Sequence, residues 1–237
     1  MFRVFLILFC ISFALQNLHA QKRNNVWAFG DSVGLNFNTN PVSLFKSKSK
    51  GTTPPYYISS ICDKDGNLMF YTDGLTMWNR NNIPLPVYNK FWPWFDNVMP
   101  LITPYIDNDS LYYIFGVESN GLDKPNPNSH KLLYFSTKMY KSGDIEEAVY
   151  PRPSNKLFPT ILLPNASRVL AGTGHCNQVD TWIIGHSPGA FYTFLMTKNG
   201  VNPVPVITQV PASVLPLKLL NVDISNLKIS ANSERMA

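Results

Sequence analysis

Apolar residues along this chain come in short runs separated by polar turns. No window keeps the apolar period of roughly 3.6 residues that a helix requires over three turns. Runs rich in aromatic and branched residues, bounded by Gly, Pro, Asn and Asp, are typical of β-strands. Nineteen prolines and thirteen glycines supply the breaks between the runs. The pattern therefore predicts an all-β protein.

The segment Asp65–Arg80 contains this pattern in its densest form. Asp-Gly occurs at 65–66 and again at 73–74, and each pair opens an apolar run. Asp-Gly is a tight-turn dipeptide that favours hairpins between neighbouring strands. We therefore expect a three-strand antiparallel meander here, formed by Tyr57–Cys62, Leu68–Tyr71 and Leu75–Trp78.

Similar runs predict further strands on both sides of this meander. A second meander comprises Leu101–Tyr105, Leu111–Val117 and Lys131–Ser136. A third, entered through Arg168–Gly172, comprises Trp182–His186, Phe191–Thr197 and Val204–Gln209. Two strands, Val26–Gly30 and Leu35–Phe37, precede them, and a last one begins at Leu227–Ser230.

A polar turn that introduces an apolar strand recurs along the chain, starting at Asp65, Asn108, Gln178 and Ala231. The spacing is unequal because of long insertions at Asn79–Asn97 and Tyr140–Asn165. Repeated antiparallel meanders with loops on one face fit a β-propeller-like architecture. We expect residues 21–237 to form one such domain, incomplete, with its last blade truncated.

The first twenty residues have the pattern of a secretory signal peptide. Arg3 is followed by the apolar run Val4–Leu15 and by Leu18-His19-Ala20, which predicts cleavage before Gln21. No later run reaches the roughly eighteen apolar residues of a membrane span. The mature chain is therefore expected to be secreted or held at the outer cell surface, with no membrane span.

The charge of the chain is mildly basic, with a formal net value of +5. Its one concentration of bases, Lys46–Lys50, alternates with serine and lacks the interleaved aromatics that stack on nucleotides. A solvated loop is the preferred interpretation, and no nucleic-acid partner is expected. Cys62 and Cys176 follow the leader; export permits a disulfide between them, and two buried free thiols are the alternative.

Several segments resemble one family. The resemblance begins with N-V-W-A-F-G at 25–30 and G-L-N-F at 34–37, and continues through Cys62–Asn79. It resumes at Leu111–Phe115, His175–His186 and Leu227–Ala237. The chain resembles secreted Bacteroidota proteins with a partial WD-like β-propeller, associated with gliding motility and type IX secretion. The resemblance implies a secreted or cell-surface interaction role. Asp31-Ser32 departs from the family, which more often has amide or small residues there.

Phe29-Gly-Asp-Ser32 follows a short strand and invites comparison with GDS-type serine esterases. A serine nucleophile needs a histidine base and an orienting carboxylate. His175 and His186 are the candidate bases, but neither follows Asp by three residues as in those esterases. The preferred interpretation is a turn between strands. Hydrolysis of a chromogenic ester, abolished by Ser32→Ala, would establish the esterase alternative.

Two further motifs are interpreted as hairpin turns. Gly185-His-Ser-Pro-Gly189 satisfies G-x-S-x-G, but Pro188 lacks the N–H that an oxyanion hole requires. Asp63-Lys-Asp-Gly-Asn67 begins like a calcium loop but lacks the spacing of an EF-hand. His175 and His186 alone do not make a metal site, so no metal and no cofactor are expected.

Four aromatics lie within five residues at 91–95, and we propose them as a ligand-binding loop together with a nearby tyrosine. The proposed residues are Tyr88, Phe91, Trp92, Trp94 and Phe95. Rings around a proline could stack on sugars or fill a protein groove, but burial across the sheet ends is the preferred interpretation. From the resemblance and the repeated architecture, the chain is predicted to bind a protein or glycan at the cell surface and not to be an enzyme. A purely structural or degenerate product is the third possibility.

Overall fold

The computed structural model describes a set of ranges within which every regular element is a β-strand and every strand pair is antiparallel. The all-β prediction is confirmed. The predicted signal peptide and the aromatic loop at 88–95 lie outside the described residues and stay predictions. The described residues are 22–49, 58–74, 76–85, 99–118, 130–140, 145–147, 159–211 and 227.

The first two sheets each have three strands that pair in chain order. Sheet 1 contains β1 (Val26–Ala28), β2 (Val33–Asn36) and β3 (Ser43–Lys46). Sheet 2 contains β4 (Ser59–Cys62), β5 (Leu68–Thr72) and β6 (Met77–Asn79). Sheet 2 is the first predicted meander, and its β4–β5 turn holds the Asp65-Gly66 pair, with Gly66 at φ 94°.

Sheet 3 also pairs its strands in chain order, with two short segments sharing its outer position. Its order is β7-β8-β9-β10, and β11 pairs β9 further along the same edge. The strands are β7 (Leu101–Tyr105), β8 (Asn108–Glu118), β9 (His130–Met139), β10 (Ile145–Glu147) and β11 (Thr160–Ala166).

Sheet 4 repeats this arrangement. Its order is β12-β13-β14-β15, and β16 pairs the other end of β14. The strands are β12 (Leu170–Gly174), β13 (Thr181–Ser187), β14 (Ala190–Thr197), β15 (Gly200–Val201) and β16 (Val206–Gln209). The β13–β14 turn is Pro188-Gly189, with Gly189 at φ 87°, so the hairpin interpretation of that motif is confirmed.

Apolar clusters join neighbouring sheets. Along β8, Tyr112 and Ile114 belong to the cluster shared with sheet 2, and Tyr113 and Phe115 to the cluster shared with sheet 4. Alternate residues of a strand face opposite sides of its sheet, so a strand covered on both sides reads as an unbroken apolar run. A third cluster joins sheets 1 and 2. The sheets therefore pack in chain order, each against the next.

The first strands of the sheets also lie in sequence beside one another. β1 contacts β4, β4 contacts β7, and β7 contacts β12. Tyr105, at the end of β7, donates its hydroxyl hydrogen to the carbonyl oxygen of Lys198 in sheet 4. The first strand of each sheet therefore lies along one side of the assembly, with later strands further from it.

The structure corrects three details of the predicted layout. The segment Tyr140–Asn165 is not a plain insertion, because β10 and most of β11 lie in it. β11 contains Pro164 and was not recognised; it is an outer strand with two register shifts, where a proline is tolerated. The basic segment was taken for a solvated loop, but it begins in β3, and its Ser47 and Ser49 are buried while Lys46 and Lys48 are exposed.

Across the described ranges, no helix has the length and apolar character to cross a membrane.

Candidate functional site

A cavity of about 650 Å³ lies where the first strands of sheets 1, 2 and 3 meet. We name it the first-strand groove. Its walls come from Asn24 and from segments 27–31, 58–60 and 99–102. The groove therefore runs along three strands that belong to three different sheets.

Two adjacent serines on β4 hold these strands together. Neighbouring strand residues point to opposite sides, and Ser59 and Ser60 do so here. Ser60 Oγ donates to the carbonyl oxygen of Val26, 2.8 Å away, and accepts from the N–H of Ala28 at 3.3 Å. Ser59 Oγ donates to the carbonyl oxygen of Pro100. The two hydroxyls thus link β4 to β1 on one side and to the start of β7 on the other.

One wall of the groove is aromatic. Trp27 and Phe29 line it, and Phe37 packs behind Trp27 with ring centroids 4.9 Å apart. We call these three residues the aromatic triad. Their exposed fractions are 47%, 42% and 40%, respectively. The indole N–H of Trp27 donates to the carbonyl oxygen of Asn24, 2.7 Å away. The ring of Trp27 is therefore held in place by a hydrogen bond and by the tilted ring of Phe37, while almost half of the residue is exposed to solvent.

The exposure of the triad follows from the sheet pairing. Trp27 is directly opposite Leu35, which is opposite Leu44, so these side chains share one face of sheet 1. The other face carries Val26 and Ala28, which are buried against sheet 2. Within the described residues, sheet 2 thus covers one face of sheet 1, which also carries Phe45, and Trp27 lies on the other face.

The rim of the groove includes the Asp31-Ser32 turn. Both residues have positive φ, at 59° and 65°, and the N–H of Phe29 donates to the carbonyl oxygen of Val33 at 2.7 Å. Three residues, Gly30, Asp31 and Ser32, connect the paired residues Phe29 and Val33. The positive φ of Asp31 and Ser32 is a conformation that Gly and Asn adopt more readily, so this turn carries some backbone strain. The preferred interpretation of this motif, a turn between strands, is confirmed. Asp31 is one of the residues that line the groove.

The structure does not link Ser32 by a hydrogen bond to either histidine that was proposed as its base. The N–H of Ser32 donates to the carbonyl oxygen of Ser49 at 3.0 Å. Nδ1 of His175 accepts from the N–H of Asn177 at 3.1 Å, and its ring packs on Trp182. Both histidines belong to sheet 4, whereas Ser32 belongs to sheet 1. The esterase alternative stays a prediction.

His186 instead pairs with a serine that the sequence did not single out. Nδ1 of His186 lies 3.0 Å from Oγ of Ser167, and the N–H of Ser167 donates to the carbonyl oxygen of His186 at 2.7 Å. His186 is buried, and this burial lowers its pKa below the ordinary histidine value. The Ser167–His186 contact spans the β11–β12 turn and β13, so it fastens the entry into sheet 4.

The Asp63–Asn67 segment is a hairpin turn, as preferred. Oδ1 of Asp63 accepts from the N–H groups of Asp65 and Asn67, each at 2.9 Å, so the carboxylate is used in closing the turn. Within the described part of the chain, no group of three or more His, Cys, Asp or Glu side chains is arranged to hold a metal ion.

The two described cysteines do not form the disulfide that export would permit. Cys62 is buried between sheets 1 and 2 and Cys176 is exposed, and both are free thiols. Burial raises the pKa of the Cys62 thiol. The buried-thiol alternative is therefore correct for Cys62 and wrong for Cys176.

Sequence reasoning missed the first-strand groove. The run Val26–Gly30 is predicted as a strand, but its alternation of aliphatic and aromatic residues does not indicate which face of the strand is covered. The proposed aromatic ligand-binding loop, Tyr88 with Phe91, Trp92, Trp94 and Phe95, lies outside the described residues. No known family model, curated protein or solved structure matches this chain.

Proposed function

We propose that this chain is a β-propeller-like binding module of a secreted or cell-surface protein. The propeller-like arrangement is supported by two features of the fold. Each sheet is an antiparallel meander in chain order, and the first strands lie side by side in the same order. Propellers place the innermost strands of successive blades around a shared channel.

A binding role is supported above all by the first-strand groove. Large side chains that are half exposed, rigid and grouped at a cavity favour recognition of a partner, because an exposed aromatic surface otherwise costs free energy in water. The groove brings together short segments of three sheets, as the channel mouth of a propeller does. The partner would be a protein or a glycan at the cell surface.

The proposal extends the resemblance to secreted Bacteroidota proteins. Within that family the role would be linked to gliding motility or type IX secretion, and residues 1–20 would direct export. Binding rather than catalysis is favoured because Asp31 is the one titratable side chain among the described residues that line the groove.

Binding of the fluorescently labelled full chain to intact cells of the producing organism tests this function. Trp27→Ala removes the groove's central ring, and Leu44→Ala is the matched control. Leu44 is 78% exposed on the same face of sheet 1 but outside the groove lining. We expect the wild type and Leu44→Ala to bind cells and Trp27→Ala to bind much less. Absence of binding, or equal binding by all three, would contradict the proposal.

A further inference from the structure

We propose that the first-strand groove binds a neutral oligosaccharide, with one sugar ring stacked against Trp27. This inference rests on the proposed binding function and specifies the ligand of that same groove.

The aromatic wall supplies the surface that a sugar ring needs. A pyranose ring has an apolar face of C–H groups that lies flat on an indole or phenyl ring. The N–H of Trp27 is already donated to Asn24, so the face of the indole is the part that it offers to a ligand. Phe37 packs behind Trp27. The ring centroids of Phe29 and Trp27 are 6.3 Å apart, and these two rings meet edge-on. A platform held in this way loses little side-chain entropy on binding.

The charge of the lining favours a neutral ligand. Among the described residues that line the groove, Asp31 is the one ionisable side chain, and Lys46 and Lys48 are not lining residues. An anionic ligand would meet this acidic residue with no cation among the described lining residues to offset it. A carboxylate accepts hydrogen bonds from hydroxyl groups, and the amide of Asn24 can both donate and accept them. These are the groups that neutral sugars satisfy.

The size of the groove separates a saccharide from a folded protein partner. A volume of about 650 Å³ lies within the range of about 300–1,000 Å³ that is typical of small-ligand pockets. A stable protein interface needs about 800 Å² of fairly continuous surface on each partner. A concave site bounded by three short segments fits a few sugar units better.

The serine hydroxyls of the groove have a positioning role in this scheme. Ser59 and Ser60 already donate to backbone carbonyls, so they hold β1, β4 and β7 together and set the width of the groove. Hydrogen bonding to the sugar then comes from Asp31 and Asn24, and affinity comes from Trp27.

Affinity electrophoresis of the full chain tests the proposal. Native gels would contain laminarin, xyloglucan, galactomannan or glycogen as neutral probes, and alginate or polygalacturonate as anionic probes. We expect at least one neutral polysaccharide to retard the wild type and Leu44→Ala equally. Trp27→Ala should weaken that retardation by roughly tenfold or more, which is the loss expected when a tryptophan that the bound ligand would bury is removed. Trp27→Phe, which keeps a ring, should retain part of it.

Three results would overturn the proposal. Retardation by no neutral probe, by anionic probes alone, or by a neutral probe to the same extent in Trp27→Ala would each exclude it. Urea midpoints of the variants guard against loss of folding, and Trp27→Phe gives a second, milder change at the same position.

Failure of this inference differs from failure of the proposed function. If Trp27-dependent binding to cells persists while no neutral polysaccharide retards the chain, the partner is a protein or an anionic glycan, and only the neutral-oligosaccharide proposal is wrong. If cell binding is also absent, both proposals are wrong.

Discussion

Sheets 1 and 3 carry aromatic clusters of similar make-up in opposite surroundings. In sheet 3, Tyr113, Phe115 and Tyr134 pack together and are 8%, 0% and 7% exposed. In sheet 1, the aromatic triad has a mean exposure near half. The difference arises because sheet 3 is covered on both faces, by sheets 2 and 4, whereas among the described elements only sheet 2 covers sheet 1. Similar residues therefore stabilise the fold in one place and are available to a ligand in the other.

The largest expected difference in stability is between variants that truncate one ring in each cluster. Phe115→Ala should lower the free energy of unfolding by about 3–5 kcal/mol, because it leaves a cavity between sheets 3 and 4. Trp27→Ala should lower it by about 1 kcal/mol or less, since much of that ring is already in water. Urea denaturation of both variants measures this difference. Equal losses would mean that the triad is part of the core, and the comparison would fail.

Removing a polar link of sheet 1 should lower the free energy of unfolding less than truncating a core ring of sheet 3. It should lower it more than truncating an exposed ring of sheet 1. Ser60→Ala leaves the carbonyl of Val26 and the N–H of Ala28 without their hydroxyl partner, at an expected cost of about 1–3 kcal/mol. Ser43→Ala is the control: its hydroxyl contacts that of Thr39 at 2.9 Å in an exposed hydrogen bond, so the change should cost under about 0.5 kcal/mol. A Ser60 variant as stable as the Ser43 variant would show that β1 and β4 do not depend on this link.

Alkaline pH should destabilise the buried aromatic cluster of sheet 3. Burial between sheets 3 and 4 raises the pKa of Tyr113 from 10.0 to about 12. The unfolded chain therefore loses this proton first as the pH rises. The contribution of Tyr113 is complete below pH 10 and is lost between pH 10 and about 12.

Unfolding free energies measured across this window check the prediction. Tyr113→Phe should show a shallower alkaline loss than the wild type, with the remaining loss coming from other buried tyrosines such as Tyr71 and Tyr112. Tyr140→Phe, which alters an exposed tyrosine just beyond β9 and keeps Tyr113, should show the wild-type slope. The same slope in all three proteins would mean that Tyr113 is not desolvated.

The smallest expected effect concerns the covered face of sheet 1. Thiol labelling of the native protein, mapped by mass spectrometry, should modify the exposed Cys176 and spare Cys62, which is buried between sheets 1 and 2. Trp27→Ala should leave Cys62 protected, because the indole lies on the opposite face. Rapid labelling of Cys62 in that variant would mean that Trp27, on the exposed face of sheet 1, helps to maintain the packing between sheets 1 and 2.

Much of the fold could be predicted from local sequence. The three meanders, the Asp63–Asn67 turn and the Pro188-Gly189 turn depend on dipeptide and strand preferences that act over a few residues. β3 and β11 were missed because their sequences look like loops: β3 runs into alternating Ser and Lys, and β11 contains Pro164. Both are strands because they form hydrogen bonds with a neighbouring strand, β3 with β2 and β11 with β9. This pairing depends on the fold, and the local sequence pattern does not indicate it.

The candidate site could not be predicted in the same way. Trp27 and Phe29 alternate with Val26 and Ala28, as in any strand with one covered face. Which face is covered depends on the contact between β1 and β4, more than thirty residues apart. The groove also needs segment 99–102, further along the chain. The sequence instead drew attention to clustered motifs, such as the aromatic residues at 91–95, because clustering is visible locally.

Hydroxyl-radical footprinting with mass spectrometric readout tests most directly whether the two clusters differ as described and whether the groove is a binding site. In the free protein, Trp27 and Phe29 should be oxidised rapidly, whereas Phe115 should be oxidised only on unfolding. Addition of the neutral polysaccharide that retards the chain most should protect Trp27, Phe29 and Met99, which line the groove, and leave Leu44, which lies outside it, unprotected. Slow oxidation of Trp27 in the free protein, or no protection by any neutral polysaccharide, would contradict the assignment of this groove.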